Sequence, residues 1–146
     1  MSKVSLKEII EDIITIVSEE FTDSELVAAE YTFNFAPDNA KAKDFPRLFL
    51  IANENITIGE RTNTIPITMR FCDVVGSRNN AIDKDKEIKS DMIQAASKLF
   101  DILQDRSFFD GDLTISLAPF DYEMNNSLSG VDATPNFFTD KPCFNI

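Results

Sequence analysis

The chain has 146 residues, a length that suits one domain and buries roughly two-thirds of its unfolded surface. It carries 25 Asp and Glu against 14 Lys and Arg, for a net charge of −11, and it has no His. That balance excludes a nucleic-acid module built on clustered cations, and the missing imidazole excludes Ser–His–Asp and Cys–His catalysis.

In Ser5-Leu6-Lys7-Glu8 the hydroxyl and the carboxylate have the spacing of a capping box. Leu6, Ile9, Ile10, Ile13, Ile14, Val17 and Phe21 follow at 3–4 spacing, which predicts an amphipathic helix over 5–20. Residues 26–35 alternate, with Tyr31, Phe33 and Phe35 on one side, and predict a half-buried strand. After a polar connector over 36–44, the apolar run 47–52 predicts a central strand covered on both faces. Ile56-Thr57-Ile58 predicts a short extra strand, and Gly59-Glu60-Arg61-Thr62-Asn63 a hairpin loop that extends from the body.

Residues 64–75 alternate strongly and read as one strand, in which Pro66 must lie at an edge, a bulge or the start. A second amphipathic helix starts at Asp83 or Asp85 and buries Ile88, Met92, Ala95, Ala96, Leu99, Ile102 and Leu103. A strand is predicted over 113–117, ended by Pro119, then a polar loop over 121–129. A last strand over 130–138 is interrupted by Pro135, and a tail runs from Thr139 to Ile146. Two helices and about five mostly adjacent strands predict a single α+β domain over 1–146. Its sheet is antiparallel or mixed, with both helices packed against it.

The chemistry of a reaction is hard to find in these residues. Two distant cysteines, Cys72 and Cys143, with no imidazole make neither a zinc site nor a disulfide framework, and they suit a reduced cytosolic compartment. With four glycines there is no phosphate-binding loop. Paired acids such as Glu19-Glu20 or Asp110 and Asp112 read as solvated surface. Leu113 and Thr114 break the calcium-loop pattern that Asp110-Gly111-Asp112 begins. No apolar run reaches about 18 residues, so no transmembrane helix is expected. Glu8, Glu11 and Asp12 stand where a signal peptide would be uncharged. No catalytic residue, cofactor or metal is expected.

What remains is an interaction protein. The segment Phe137-Phe138-Thr139-Asp140-Lys141-Pro142-Cys143-Phe144-Asn145-Ile146 is apolar for a terminus and has two readings: it docks on a neighbour, or Phe137 and Phe138 belong to the domain's own sheet and the last residues are loosely ordered. Charge is concentrated at the ends. Residues 1–30 hold eight acids and two lysines, residues 101–140 hold eight acids and one arginine, and the middle is near neutral.

This layout resembles the tail-terminator, tail-completion and neck-ring proteins of tailed bacteriophages. The match lies in residues 5–20, Phe45-Pro46-Arg47-Leu48-Phe49-Leu50 with the strand after it, residues 86–104, and the pair 113–117 and 131–138. The stretch Asp121-Tyr122-Glu123-Met124, through Leu128 and Gly130 to a Pro-Cys tail, is similar to small virion proteins of phages of Bacteroides and related hosts, including crAss-like phages. The resemblance implies a homo-oligomeric ring, sixfold or twelvefold, in the virion neck or tail, assembled in the host cytoplasm. It would join neck, connector or tail-tube proteins around a channel that DNA crosses without specific binding. Its expected contacts are Gly59, Glu60, Arg61, Thr62, Asn63, Tyr122, Met124, Leu128, Phe138, Phe144 and Ile146. Two other classes stay open: a small adaptor that binds one protein partner without forming a ring, and an enzyme with an acidic metal site shared between subunits.

Overall fold

The computed structural model describes residues 5–32, 44–75, 81–109, 115–122 and 128–140. Two helices and eight strands follow in the order α1 (Leu6–Glu20), β1 (Ala28–Tyr31), β2 (Arg47–Ile51), β3 (Thr57–Ile58), β4 (Thr62–Pro66), β5 (Thr68–Val74), α2 (Ala81–Leu103), β6 (Ala118–Tyr122), β7 (Leu128–Ala133) and β8 (Asn136–Asp140). The fold is α+β, with a mixed five-stranded sheet in the order β1-β2-β5-β7-β6 and a second sheet in the order β3-β4-β8. Among the described strands β1 and β2 pair parallel and the other pairings are antiparallel.

The capping box forms. Ser5 is the N-cap of α1, and its Oγ accepts the Glu8 backbone N–H at 3.2 Å. Ser5→Ala should cost about 1 kcal/mol of stability, read as a lower urea midpoint with an unchanged slope. α1 buries Ile9, Ile10, Ile13, Ile16 and Val17. Ile16 is one more than the spacing predicted, whereas Ile14 is only partly buried. α2 begins at Ala81, earlier than either aspartate, and buries Ile88, Met92, Ala95, Ala96, Leu99, Phe100 and Leu103.

These faces meet alternate residues of the large sheet: Leu48 and Leu50 of β2, Met69 and Phe71 of β5, Val131 and Ala133 of β7. Burying each large apolar side chain contributes about 1.5–3 kcal/mol, so this interface holds the domain together. Strand β2 has one fully buried face. Arg47 and Phe49 on the other face are half-buried, so the expectation of full cover on both sides is corrected. That other face carries a smaller cluster, in which Phe45, Cys72 and Leu128 are buried beside Phe49, Val74 and Phe120.

The second sheet is the main departure from the sequence reading. Residues 64–75 are two strands in two sheets, and so are residues 130–138. Pro66 and Pro135 explain both breaks. Neither has an N–H to give a ladder, and both stand at one joint: Pro66 is opposite Asn136, and the next residue, Ile67, donates its N–H to the Pro135 carbonyl at 3.2 Å. On one side of this joint β5 pairs β7; on the other β4 pairs β8. The predicted 113–117 strand is also displaced. The strand is β6, and it contains Pro119, which an edge strand tolerates. Residues 115–117 carry no strand, and residues 110–114, with Asp110 and Asp112, lie outside the described residues.

Candidate assembly surface

Strand β3 pairs Thr57 with Thr64 and Ile58 with Asn63. Strand β4 pairs Ile65 with Phe137 and Asn63 with Thr139. Side chains directly opposite share a face, so Phe137, Ile65, Thr139, Asn63 and Ile58 lie on one side of the small sheet. Burial falls away along it. Phe137 is fully buried, Ile65 and Thr139 are buried, and Ile58 is 72% exposed. The inner end joins the core through Phe108 and Phe109, whose rings lie 6.2 and 5.4 Å from that of Phe137.

The two edges of this sheet differ. Beyond β8, the Phe138 N–H donates to the Phe108 carbonyl at 2.8 Å, and Phe109 bridges Phe137. Beyond β3 no strand follows among the described residues. Ile56, just before β3, stands 51% exposed. The Asn63 side-chain oxygen is buried without a donor, an arrangement that costs about 1–3 kcal/mol.

The expected contacts fall unevenly on this frame. Gly59, Glu60 and Arg61 form the turn between β3 and β4, closed by the Gly59 N–H on the Thr62 carbonyl. Thr62 and Asn63 are strand residues of β4, not loop, because they pair with Asp140 and Thr139. Tyr122 ends β6 opposite Leu128. Leu128 is only 1% exposed and packs with Phe45 and Cys72, so its side chain is buried within the chain's own fold and is not open as a contact. Phe138 sits in β8 opposite Thr64. Thr139 and Asp140 belong to that strand as well, so the tail is shorter than expected. Met124, Phe144 and Ile146 lie outside the described residues.

The start of β7 and the end of β6 are tied to α2 by a polar cluster that the sequence did not suggest. Buried Ser129 donates to Asp85, and Lys89 donates to Asp85 at 2.9 Å and to Asp121 at 3.2 Å. Burial pushes the Asp85 carboxyl up, but the hydrogen bonds from Ser129 and Lys89 outweigh it and hold the pKa below the ordinary value. The bond to Asp85 raises Lys89. A depressed carboxylate stabilises the fold above its unfolded pKa of about 3.9 and loses that contribution as pH falls through the folded value. Asp85→Asn should therefore lower the urea midpoint at pH 7, and the gap from wild type should narrow as pH falls below about 3.9.

Elsewhere most described cations pair with acids of the same chain. Arg70 grips Asp132 with two bonds of 2.6–2.7 Å and lies 4.5 Å from the Phe120 ring centre. Arg47 meets Glu30 at 2.7 Å, Lys98 meets Glu25 at 3.0 Å, and Arg106 meets Asp12 at 2.9 Å. The Thr22 backbone N–H and then Lys98 hold Glu25 below the ordinary carboxylate pKa. Lys7 and Lys86 pair with acids one turn away, which leaves Arg61 and Lys84 without an ion pair among the described residues. The surface charge left over is therefore acidic. Burial pushes the Cys72 thiol far above its usual pKa, so it is inert.

Among the described residues no group of three or more His, Cys, Asp or Glu is placed to hold a metal ion, and no helix is long and apolar enough to cross a membrane. No protein-family model matches the chain, and no curated protein matches it.

Proposed function

We propose that the chain is a structural virion protein, one subunit of a ring at the head–tail junction or tail end of a tailed bacteriophage. The ring joins neck or connector to tail tube and leaves a channel for DNA. The order of elements supports this reading through its resemblance to tail-terminator and neck-ring proteins. The observation that carries it is the small sheet, which runs from a buried root at Phe137 to an open edge bearing exposed Ile56 and Ile58. A chain that keeps Ile58, and Ile56 just before it, exposed at a strand edge that has no partner among the described residues carries an association hazard unless something covers them. A ring needs two different surfaces on each subunit, and the open β3 edge supplies one of them. The excess of unpaired acids suits a channel wall, because it weakens adhesion to DNA.

Light scattering across a range of chain concentrations tests this. Discrete oligomers of one size are expected, with monomer at the lowest concentrations. A chain that stays monomeric at every concentration, and binds one partner as a monomer, supports the adaptor instead.

A further inference from the structure

Resting on that reading, we infer that the second surface of each subunit is the groove between the start of α1 and the end of β1, and that it receives Ile58 and the β3–β4 turn of a second copy. The groove has a volume of about 340 Å³ and is lined by Leu6, Lys7, Ile10, Glu11 and Tyr31. Leu6 and Ile10 stand one turn apart on α1, and Tyr31, 40% exposed, ends β1. The walls are mostly apolar. An apolar cavity of about 150 Å³ already holds benzene, so the Ile58 side chain fits. Seating it would take from water an isoleucine that is 72% exposed.

Charge matches as well as shape. Just past Ile58 the turn carries exposed Glu60 and Arg61, and the groove is rimmed by Lys7 and Glu11. Lys7 and Glu11 hold each other only at 3.9 Å, with side chains 84% and 62% exposed. So loose a pair is worth little. It can be exchanged for Lys7 on Glu60 and Glu11 on Arg61 across the contact.

The turn and the groove belong to different parts of the fold. β1 is an edge strand of the large sheet, whereas the small sheet continues past one end of β5 and β7. A chain whose Ile58 is 72% exposed does not seat it in its own groove, so the contact is between copies. Charge also disfavours pairing β3 with itself. With Ile56 against Ile58, two antiparallel β3 strands would set exposed Glu54 opposite Glu60, and like charges directly opposite destabilise a pair. A turn-to-groove contact joins two different surfaces. It is head-to-tail, the kind that closes rings.

Light scattering of full-length variants tests this. Ile58→Asp, and Leu6→Asp in the groove, should each weaken self-association at least about tenfold, the effect of losing one large apolar side chain from a contact. Ile58 is exposed, and an acid in the first turn of α1 suits the helix dipole, so both variants should keep the circular dichroism of wild type. An equimolar mixture of the two should give dimers and nothing larger, because one intact turn meets one intact groove. Arg61→Glu should weaken assembly by roughly two- to fivefold, the scale of exposed charge pairs, and Glu11→Arg added to the same chain should restore it. Assembly that survives either Ile58→Asp or Leu6→Asp overturns this inference and leaves the ring standing. Loss of assembly in both variants with no dimer in their mixture does the same. Chains that never associate overturn both readings and leave the groove to a partner of another kind.

Discussion

Gly130→Ala is expected to prevent folding, or to lower the unfolding free energy by more than about 4 kcal/mol, a size reserved for strain that the structure cannot relax. A Cβ on Gly130 would lie 1.8 Å from the Phe71 carbonyl oxygen and 2.9 Å from the Cys72 Cα. Both are main-chain atoms, so no side chain can rotate out of the way. Gly130 is held between Cys72 of β5 and Phe120 of β6, and any shift of its backbone disturbs ladders on both sides. Circular dichroism with urea titration checks this. A folded variant with a midpoint near that of wild type would show that β5 and β7 do not approach as described.

Phe137→Ala should cost about 3–5 kcal/mol, the usual loss for emptying a fully buried aromatic site. The cavity would open between Phe108 and Phe109, where the small sheet joins the core. The consequence should reach assembly too, because the bond from Phe138 to Phe108 that caps the β8 edge lies next to it. Phe137→Leu keeps most of the volume and should cost less, about 1.5 kcal/mol. The Ala variant should then lose oligomers at chain concentrations where the Leu variant keeps them. Equal stability of the two variants would mean that Phe137 does not root the small sheet.

The two helices were legible because their signals are local. Ser5 and Glu8 are three residues apart, and the apolar faces repeat every three or four. The division into two sheets was only half legible. Pro66 and Pro135 mark breaks in their strands, but nothing in the chain says that two prolines 69 residues apart meet at one joint. Residues 121–129 look like a polar loop, yet Leu128 is buried against Phe45, from a different part of the chain. Ser129 reads as a turn residue and is instead a buried donor to Asp85. Such pairings are decided by tertiary contact, which overrides local propensity. Of the candidate surface, residues 59–61 were visible as a turn from Gly59, whereas the exposure of Ile56 and Ile58 was not. An Ile-Thr-Ile alternation has the same appearance in a buried strand as in an open one.

Electron microscopy of the purified chain at high concentration, and of the virion, with two-dimensional class averages tests the ring most directly. The account predicts closed rings of one symmetry with a central hole, and density for the chain at the head–tail junction or tail end. Monomers alone at high concentration, with no density for the chain in any virion, would contradict it and leave the adaptor as the better account.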